Sequence, residues 1–183
     1  VESDTPQSVV SFAQPGIPRD DPDFIPAYIM MEIFSGGGFS SRLLEEVREK
    51  RGLTYGIGAS LYPMDNAELI IGSVSSANDK VAETIEVIKA EWAKLAEDGI
   101  TQEELDRAKT YLTGAYPLRF DGNGRIANIL VGMQMTDLPI DYPETRNELV
   151  DAVTLEDINR VVDRIIEPER LHFVVVGKPA GLE

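Results

Sequence analysis

Cysteine is absent from this chain and histidine occurs once, at His172. The first absence excludes disulfides and thiolate zinc sites while leaving the redox compartment open. The second is more consequential. A catalytic zinc of the two-imidazole type needs both imidazoles on one helical turn, as in H-E-x-x-H or H-x-x-E-H, and a single histidine cannot supply them. His172 falls within L-H-F-V-V-V and reads as a structural strand residue. G-x-S-x-G is also missing, so no serine sits on a strand-to-helix elbow suited to nucleophilic attack. Positive charge is scarce, with 17 Lys and Arg against 32 Asp and Glu and a net charge of −15. That field repels phosphate backbones and anionic lipid, which excludes nucleic acid and membrane surfaces as favoured partners. No apolar run reaches the roughly 20 residues of a membrane span. No basic-then-apolar leader opens the chain, and a start at Val1 reads as a mature form or an excised piece. The expectation is a soluble protein, with bacterial periplasm and cytoplasm both compatible.

What remains is ample for one domain spanning 1–183, since 183 residues bury about two-thirds of their unfolded surface without staples. Gln7 to Gln14 is β-rich and ends at Pro15-Gly16, giving a first strand. Asp21 followed by Pro22 predicts an N-cap and first helical position, with a helix to about Phe34 presenting Phe24, Ala27, Tyr28, Met31 and Phe34. Asp20, Asp21 and Asp23 read as capping carboxylates and not as a hard-metal site. Gly36 to Gly38 stop that helix. Ser40 or Ser41 caps a second, with Leu43, Leu44 and Val47 on one side, and Gly52 ends it. From Leu53 to Tyr62 the period becomes two, placing Leu53, Tyr55, Ile57, Ala59 and Leu61 on one face. A turn at Pro63 to Asn66 returns the chain as Ala67 to Ser75, a hairpin. Asn78 is the expected cap of a long helix with Val81, Ile85, Ile88, Trp92 and Leu95 as its stripe. Thr101 to Glu104 is a capping box for the next helix, and helices at about 125–136, 141–151 and 155–167 follow, the last opened by Thr154 to Asp157. Leu171 to Val176 closes as a strand. The order β-α-α-β-β-α-α-α-α-α-β predicts an α+β, two-layer sandwich. Its sheet is mainly antiparallel and four-stranded or slightly larger, helices cover one face, and the core is an elaborated ferredoxin-like βαββαβ unit.

One stretch carries chemistry. The loop Gly36-Gly37-Gly38 lacks the Lys-Ser/Thr of a phosphate cradle and follows a helix where a dinucleotide fingerprint would follow a strand. Two readings stay open for it: a connector chosen for its turn geometry, or a bare backbone that lets a peptide approach closely. Arg48 and Tyr55 lie seven apart across a helix end, a turn and a strand start, so both can converge near Gly52. A guanidinium and a phenol together could polarise a carbonyl or steady the oxyanion formed when water attacks it. A solvated helix residue and a core tyrosine would share the same spacing.

The run G-G-G-F-S-S-R-L-L-E-E-V-R-E-K-R-G-L-T-Y resembles the opening of the C-terminal, non-catalytic half of the pitrilysin/insulinase zinc metallopeptidases, to which the mitochondrial processing peptidases belong. The flanks Gln14 to Pro18 and Asp21 to Asp23 agree with it. The likeness spans the chain by element order, is specific from Gly36 to Tyr55, and is weak from about 117 to 165. In that family two homologous halves, fused or paired, close on an extended peptide. One half holds zinc through H-x-x-E-H, and the other supplies an Arg and a Tyr that reach the substrate at that zinc. The resemblance thus implies catalytic assistance in trans by Arg48 and Tyr55, and substrate binding by Gly36, Gly37, Gly38, Phe39 and Ser40. It implies no metal in this chain and zinc in the partner half. The loop is shorter than in the mitochondrial subunit, so presequence binding does not carry over. The rival expectations are a catalytically silent scaffold, like the core proteins of a respiratory complex, and a stand-alone peptide-binding module.

Overall fold

A computed structural model describes residues 1–36 and 41–182. Four strands, β1 (Gln7–Pro15), β2 (Thr54–Met64), β3 (Ala67–Ala77) and β4 (His172–Val176), form one sheet in the order β2-β3-β1-β4 with every neighbouring pair antiparallel. Read from the other edge, this is the ferredoxin-like order, with the crossover helices α1 (Phe24–Ser35) and α3 (Val81–Asp98) joining strands that are not adjacent. The remaining helices are α2 (Arg42–Leu44), α4 (Gln102–Ala115), α5 (Asn123–Met135), α6 (Tyr142–Ala152) and α7 (Leu155–Ile165). The element order matches the one expected from the sequence, and the two-layer α+β architecture is as anticipated.

Alternation within the strands sets the layers. Ser8, Val10, Phe12 and Gln14 of β1 and Ile70, Gly72, Val74 and Ser76 of β3 point at the helices and are buried. Val9, Ile71, Val174 and Val176 lie exposed on the other face. Trp92 anchors the core, edge-on to Phe34 at 4.9 Å and to Phe12 at 5.8 Å between ring centroids. Its indole donates to Gln14 Oε1 at 2.5 Å, and Gln14 in turn donates to the Ile165 carbonyl at 2.5 Å. One buried amide therefore joins β1, α3 and the end of α7 with its polar atoms satisfied.

Two local signals hold as written. Thr101 with Glu104 and Thr154 with Asp157 form reciprocal capping boxes. Three do not. The expected cap at Asp21 with Pro22 is displaced: α1 starts at Phe24, and although Asp21 Oδ1 accepts from the Asp23 N–H at 2.8 Å, both carboxyls are also drawn to α7, where Arg164 reaches both at 2.6 Å and Arg160 reaches Asp23 at 2.5 Å. Those hydrogen bonds hold both carboxyls below the usual range, overriding the upward push of burial that is the largest single influence on Asp23. Asn78 does not cap α3; it accepts from Ser8 Oγ at 2.6 Å and donates to the Thr5 carbonyl at 2.8 Å, tying the N-terminal segment down. Ser41, though at the cap position of α2, makes no capping bond. Finally, the apolar stripe of α1 is wider than the period suggests. Ile29, Met30 and Ile33 are buried as well, because α1 packs against β2 and the surrounding helices α2, α4, α6 and α7.

Candidate functional site

The site grows from an irregular connection between α1 and β2. α1 ends where Gly36 donates to the Glu32 carbonyl at 2.9 Å. A Cβ on Gly36 would collide with the Glu32 carbonyl and carboxyl, so this close approach requires glycine. Gly37, Gly38, Phe39 and Ser40 lie outside the described residues. α2 then runs directly into a π-helical turn, Glu45–Glu49, in which Lys50 N–H reaches back to the Glu45 carbonyl at 2.9 Å. Such turns are uncommon and cluster at functional sites, because one extra residue per turn re-aims the side chains that follow. Arg48 stands on this turn. Its exit is a two-bond lock: Gly52 N–H to the Arg48 carbonyl and Leu53 N–H to the Val47 carbonyl, both 2.9 Å, with Gly52 at φ +58°. The paired bonds are one residue wider than those of a Schellman motif, following the π-helical turn, and the left-handed position is taken by glycine, which adopts it at least cost.

β2 opens with a second irregularity. Thr54 pairs with Ser76 and Ile57 with Val74, so Tyr55 and Gly56 together oppose Ser75 alone. Thr54 Oγ1 donates to the Ser75 carbonyl at 2.6 Å and accepts from Gly56 N–H at 3.2 Å, stitching this β-bulge together. The bulge breaks the alternation expected over 53–61. Leu53 and Ala59 are buried, while Tyr55 is 90% exposed and stands off the core face on which strict alternation would place it.

These two irregularities bring Arg48 and Tyr55 together. The guanidinium carbon lies 5.3 Å from the centre of the phenol ring, within cation–π range. Arg48 Nε is 3.3 Å from Glu49 Oε1, a pair at the surface that contributes little energy. Its terminal nitrogens make no hydrogen bond among the described residues. The pair therefore presents one planar cation and one hydroxyl outward, beside a groove of about 520 Å³ lined by Thr54, Tyr55, Gly56, Ser73, Ser75 and Lys80. Such a pair can donate to a carbonyl or carboxylate oxygen.

A feature the sequence reading passed over lies on the other side of β2. A cavity of about 750 Å³ between α1 and β2 is lined by Tyr28, Glu32, Gly36, Ile57, Gly58 and Leu61 among others. Glu32 is half-buried there and forms no ion pair among the described residues. Burial raises its pKa against the opposing pull of Arg146. The signal available in the sequence was one carboxylate inside the apolar run I-M-M-E-I. Ser35 Oγ meets the Ala59 amide here, covering one polar group on the edge strand of the sheet.

The residues of this chain do not fit a catalytic zinc. His172 is exposed at the start of edge strand β4, and among the described residues no group of three or more His, Asp or Glu side chains could hold a metal ion. Among the same residues no helix is long and apolar enough to cross a membrane.

Comparison with known proteins agrees with this geometry. Residues 1–112 match the family described as the peptidase M16 inactive domain. A Helicobacter pylori protein called non-peptidase homolog YmxG is 30% identical over 179 residues, covering 95% of this chain and 40% of that protein. An uncharacterized zinc protease of Streptomyces coelicolor is 28% identical, over 94% of this chain and 37% of its own length. The chain thus spans about two-fifths of these relatives. Among solved structures, the peptidase M16 inactive domain from Pseudomonas fluorescens superimposes with a TM-score of 0.88 at 30% identity, covering all of this chain and 43% of that one. An inactive peptidase domain from Bordetella parapertussis shares the fold at a TM-score of 0.78 and 15% identity, covering all of this chain and 99% of that one.

Proposed function

The chain belongs to the peptidase M16 inactive-domain family, and from that premise we propose that it is the substrate-binding, non-zinc half of a zinc metalloendopeptidase. In this reading, residues 1–183 form one domain that closes on an extended peptide with a homologous half bearing H-x-x-E-H, fused to it or on a separate subunit. Zinc belongs to that partner half. Arg48 and Tyr55 bind the substrate carbonyl and hold negative charge as it develops there, and the glycine loop from Gly36 to Ser40 borders the bound peptide. The observation that carries the reading is the convergence of Arg48 and Tyr55 at 5.3 Å, Tyr55 exposed and Arg48 partly so, on two successive irregularities of backbone. Regular helix and strand would bury or scatter these side chains, so the chain maintains two departures from regularity to present them. β2, an edge strand beside a large cavity, is a surface on which an extended peptide can pair.

The test is reconstitution. With the partner half present, Arg48→Ala or Tyr55→Phe is expected to lower turnover roughly 10²–10³-fold, the loss measured when one oxyanion donor is removed. Unchanged turnover in both variants would overturn the assignment. The chain alone is expected to hydrolyse no peptide; chelator-sensitive cleavage by the purified chain would do equal damage. A scaffold role without peptidase work is a second reading, favoured by the name non-peptidase homolog borne by a 30% identical relative. An H-x-x-E-H half encoded in frame or alongside supports the peptidase, and its absence supports the scaffold.

A further inference from the structure

At the N-terminal end of α1, a second cavity of about 440 Å³ opens between α1, α5, α6 and the 3-10 turn Pro117–Phe120. Its lining contains three arginines, Arg19, Arg119 and Arg146, and three tyrosines, Tyr28, Tyr116 and Tyr142, with no Asp or Glu. In a chain carrying 32 carboxylates against 17 basic residues, such an arrangement is the reverse of the overall field. None of the three guanidiniums forms an ion pair among the described residues. Arg146 is only 4% exposed. One of its terminal nitrogens is accounted for, donating to the Leu112 carbonyl at the end of α4 at 2.8 Å and to Asn147 Oδ1 at 3.0 Å. The other has only Tyr28 Oη at 3.5 Å. Arg146 also lies over the Tyr116 ring at 4.6 Å, and Arg19 over Phe24 at 4.2 Å while donating to Tyr142 Oη at 3.1 Å. Glu32, whose carboxyl Arg146 influences, lines the adjoining cavity and not this one.

A buried guanidinium without a carboxylate is costly unless a counter-charge is supplied. Aromatic rings lie against two of the guanidiniums, Phe24 and Tyr142 at Arg19 and Tyr28 and Tyr116 at Arg146, so those donors are oriented before any ligand arrives. Ile25, Ile129, Met133 and Leu138 supply the apolar remainder of the wall. The volume lies within the range of small-molecule sites. We propose that this cavity binds a carboxylate carried on a short apolar body, with Arg146 at its base and Arg19 and Arg119 closing over it. The site lies at the opposite end of α1 from the glycine loop, and it stands or falls independently of Arg48 and Tyr55.

The experiment titrates the full chain with hexanoate and with hexanamide, which shares the apolar body but not the charge, by calorimetry. Hexanoate is expected to saturate one site with Kd at or below about 10 mM, as a ligand of this size allows, and hexanamide to bind at least about tenfold more weakly. Arg119→Met, at an exposed position, is expected to weaken hexanoate about tenfold by removing one charge-assisted donor, and Arg19→Met to do the same. A short peptide with a free C-terminus, compared with its amidated form, distinguishes a peptide terminus from a small organic acid as the natural source. Absence of saturation, equal binding of the amide, or an Arg119→Met protein that binds hexanoate undiminished would each overturn the proposal.

Discussion

Arg48 and Arg146 both lie against tyrosine rings, yet the molecule uses them in opposite ways. Arg48 sits on a π-helical turn and meets Tyr55 across a β-bulge, with the phenol displayed to solvent and the guanidinium partly so. Arg146 sits in regular helix α6, sunk beneath Tyr28 and Tyr116, and donates to the Leu112 carbonyl in the last turn of α4. The first pair is presented by irregular backbone and contributes little to stability. The second is held by regular backbone and joins α1, α4 and α6. The contrast shows that an arginine–tyrosine contact has no meaning of its own; the backbone beneath it and the water around it decide what it does.

That comparison can be broken from either side. The largest effect is expected at Arg48: replacement by Ala should cut turnover of the reconstituted enzyme by two to three orders of magnitude while leaving the urea midpoint of the isolated chain almost unmoved, as for surface substitutions. A loss of stability comparable to a core mutation would make Arg48 structural and dissolve the contrast. Arg146→Met should do the reverse, lowering unfolding free energy by about 2 kcal/mol, because the Leu112 carbonyl and Asn147 Oδ1 lose their donor while an unpaired buried charge is relieved. Denaturant titration measures this directly. Gly72→Ala sharpens the background against which both are read. A Cβ there would run into the Phe12 ring and lie 2.8 Å from Ala59 Cβ, so about 2 kcal/mol should be lost by overpacking with no change in any binding property.

The smallest expected effect belongs to a partly buried pair that neither presents a site nor lines one. Arg42 grips Glu104 with two hydrogen bonds of 2.7 Å. Burial pushes the Glu104 carboxyl up, but Arg42 and the Thr101 cap outweigh it and hold the pKa at about 2 against a usual 4.5. Because the folded value lies below the unfolded one, this stabilisation is complete above about pH 4.5 and is lost as the pH falls toward 2. Arg42→Met should therefore cost about 1 kcal/mol at neutral pH and flatten the acid limb of the stability profile. An acid limb identical to that of the parent chain would show that the pair contributes nothing.

Much of this was written locally in the chain. The capping boxes at Thr101 and Thr154 and the Gly52 terminator depend on residues within six positions of one another and formed where expected, and the β2–β3 hairpin formed with its turn tightened from Pro63–Asn66 to Asp65-Asn66. The full order of elements and the seven-residue spacing of Arg48 and Tyr55 were legible for the same reason, as was the impossibility of a two-histidine zinc site. What tertiary structure alone decided involves partners far apart in the chain. Asp21 and Asp23 look like helix caps until Arg160 and Arg164 arrive from α7 with a stronger, charge-assisted offer. Asn78 looks like a cap until Ser8 and Thr5 engage it. Tyr55 looks like core until the register against β3 inserts an extra residue and turns it outward. The three arginines that gather around one cavity come from positions 19, 119 and 146, a convergence that no local pattern announces. Short-range hydrogen bonding and period are properties of a segment, whereas register, long-range ion pairs and shared cavities exist only once segments have met.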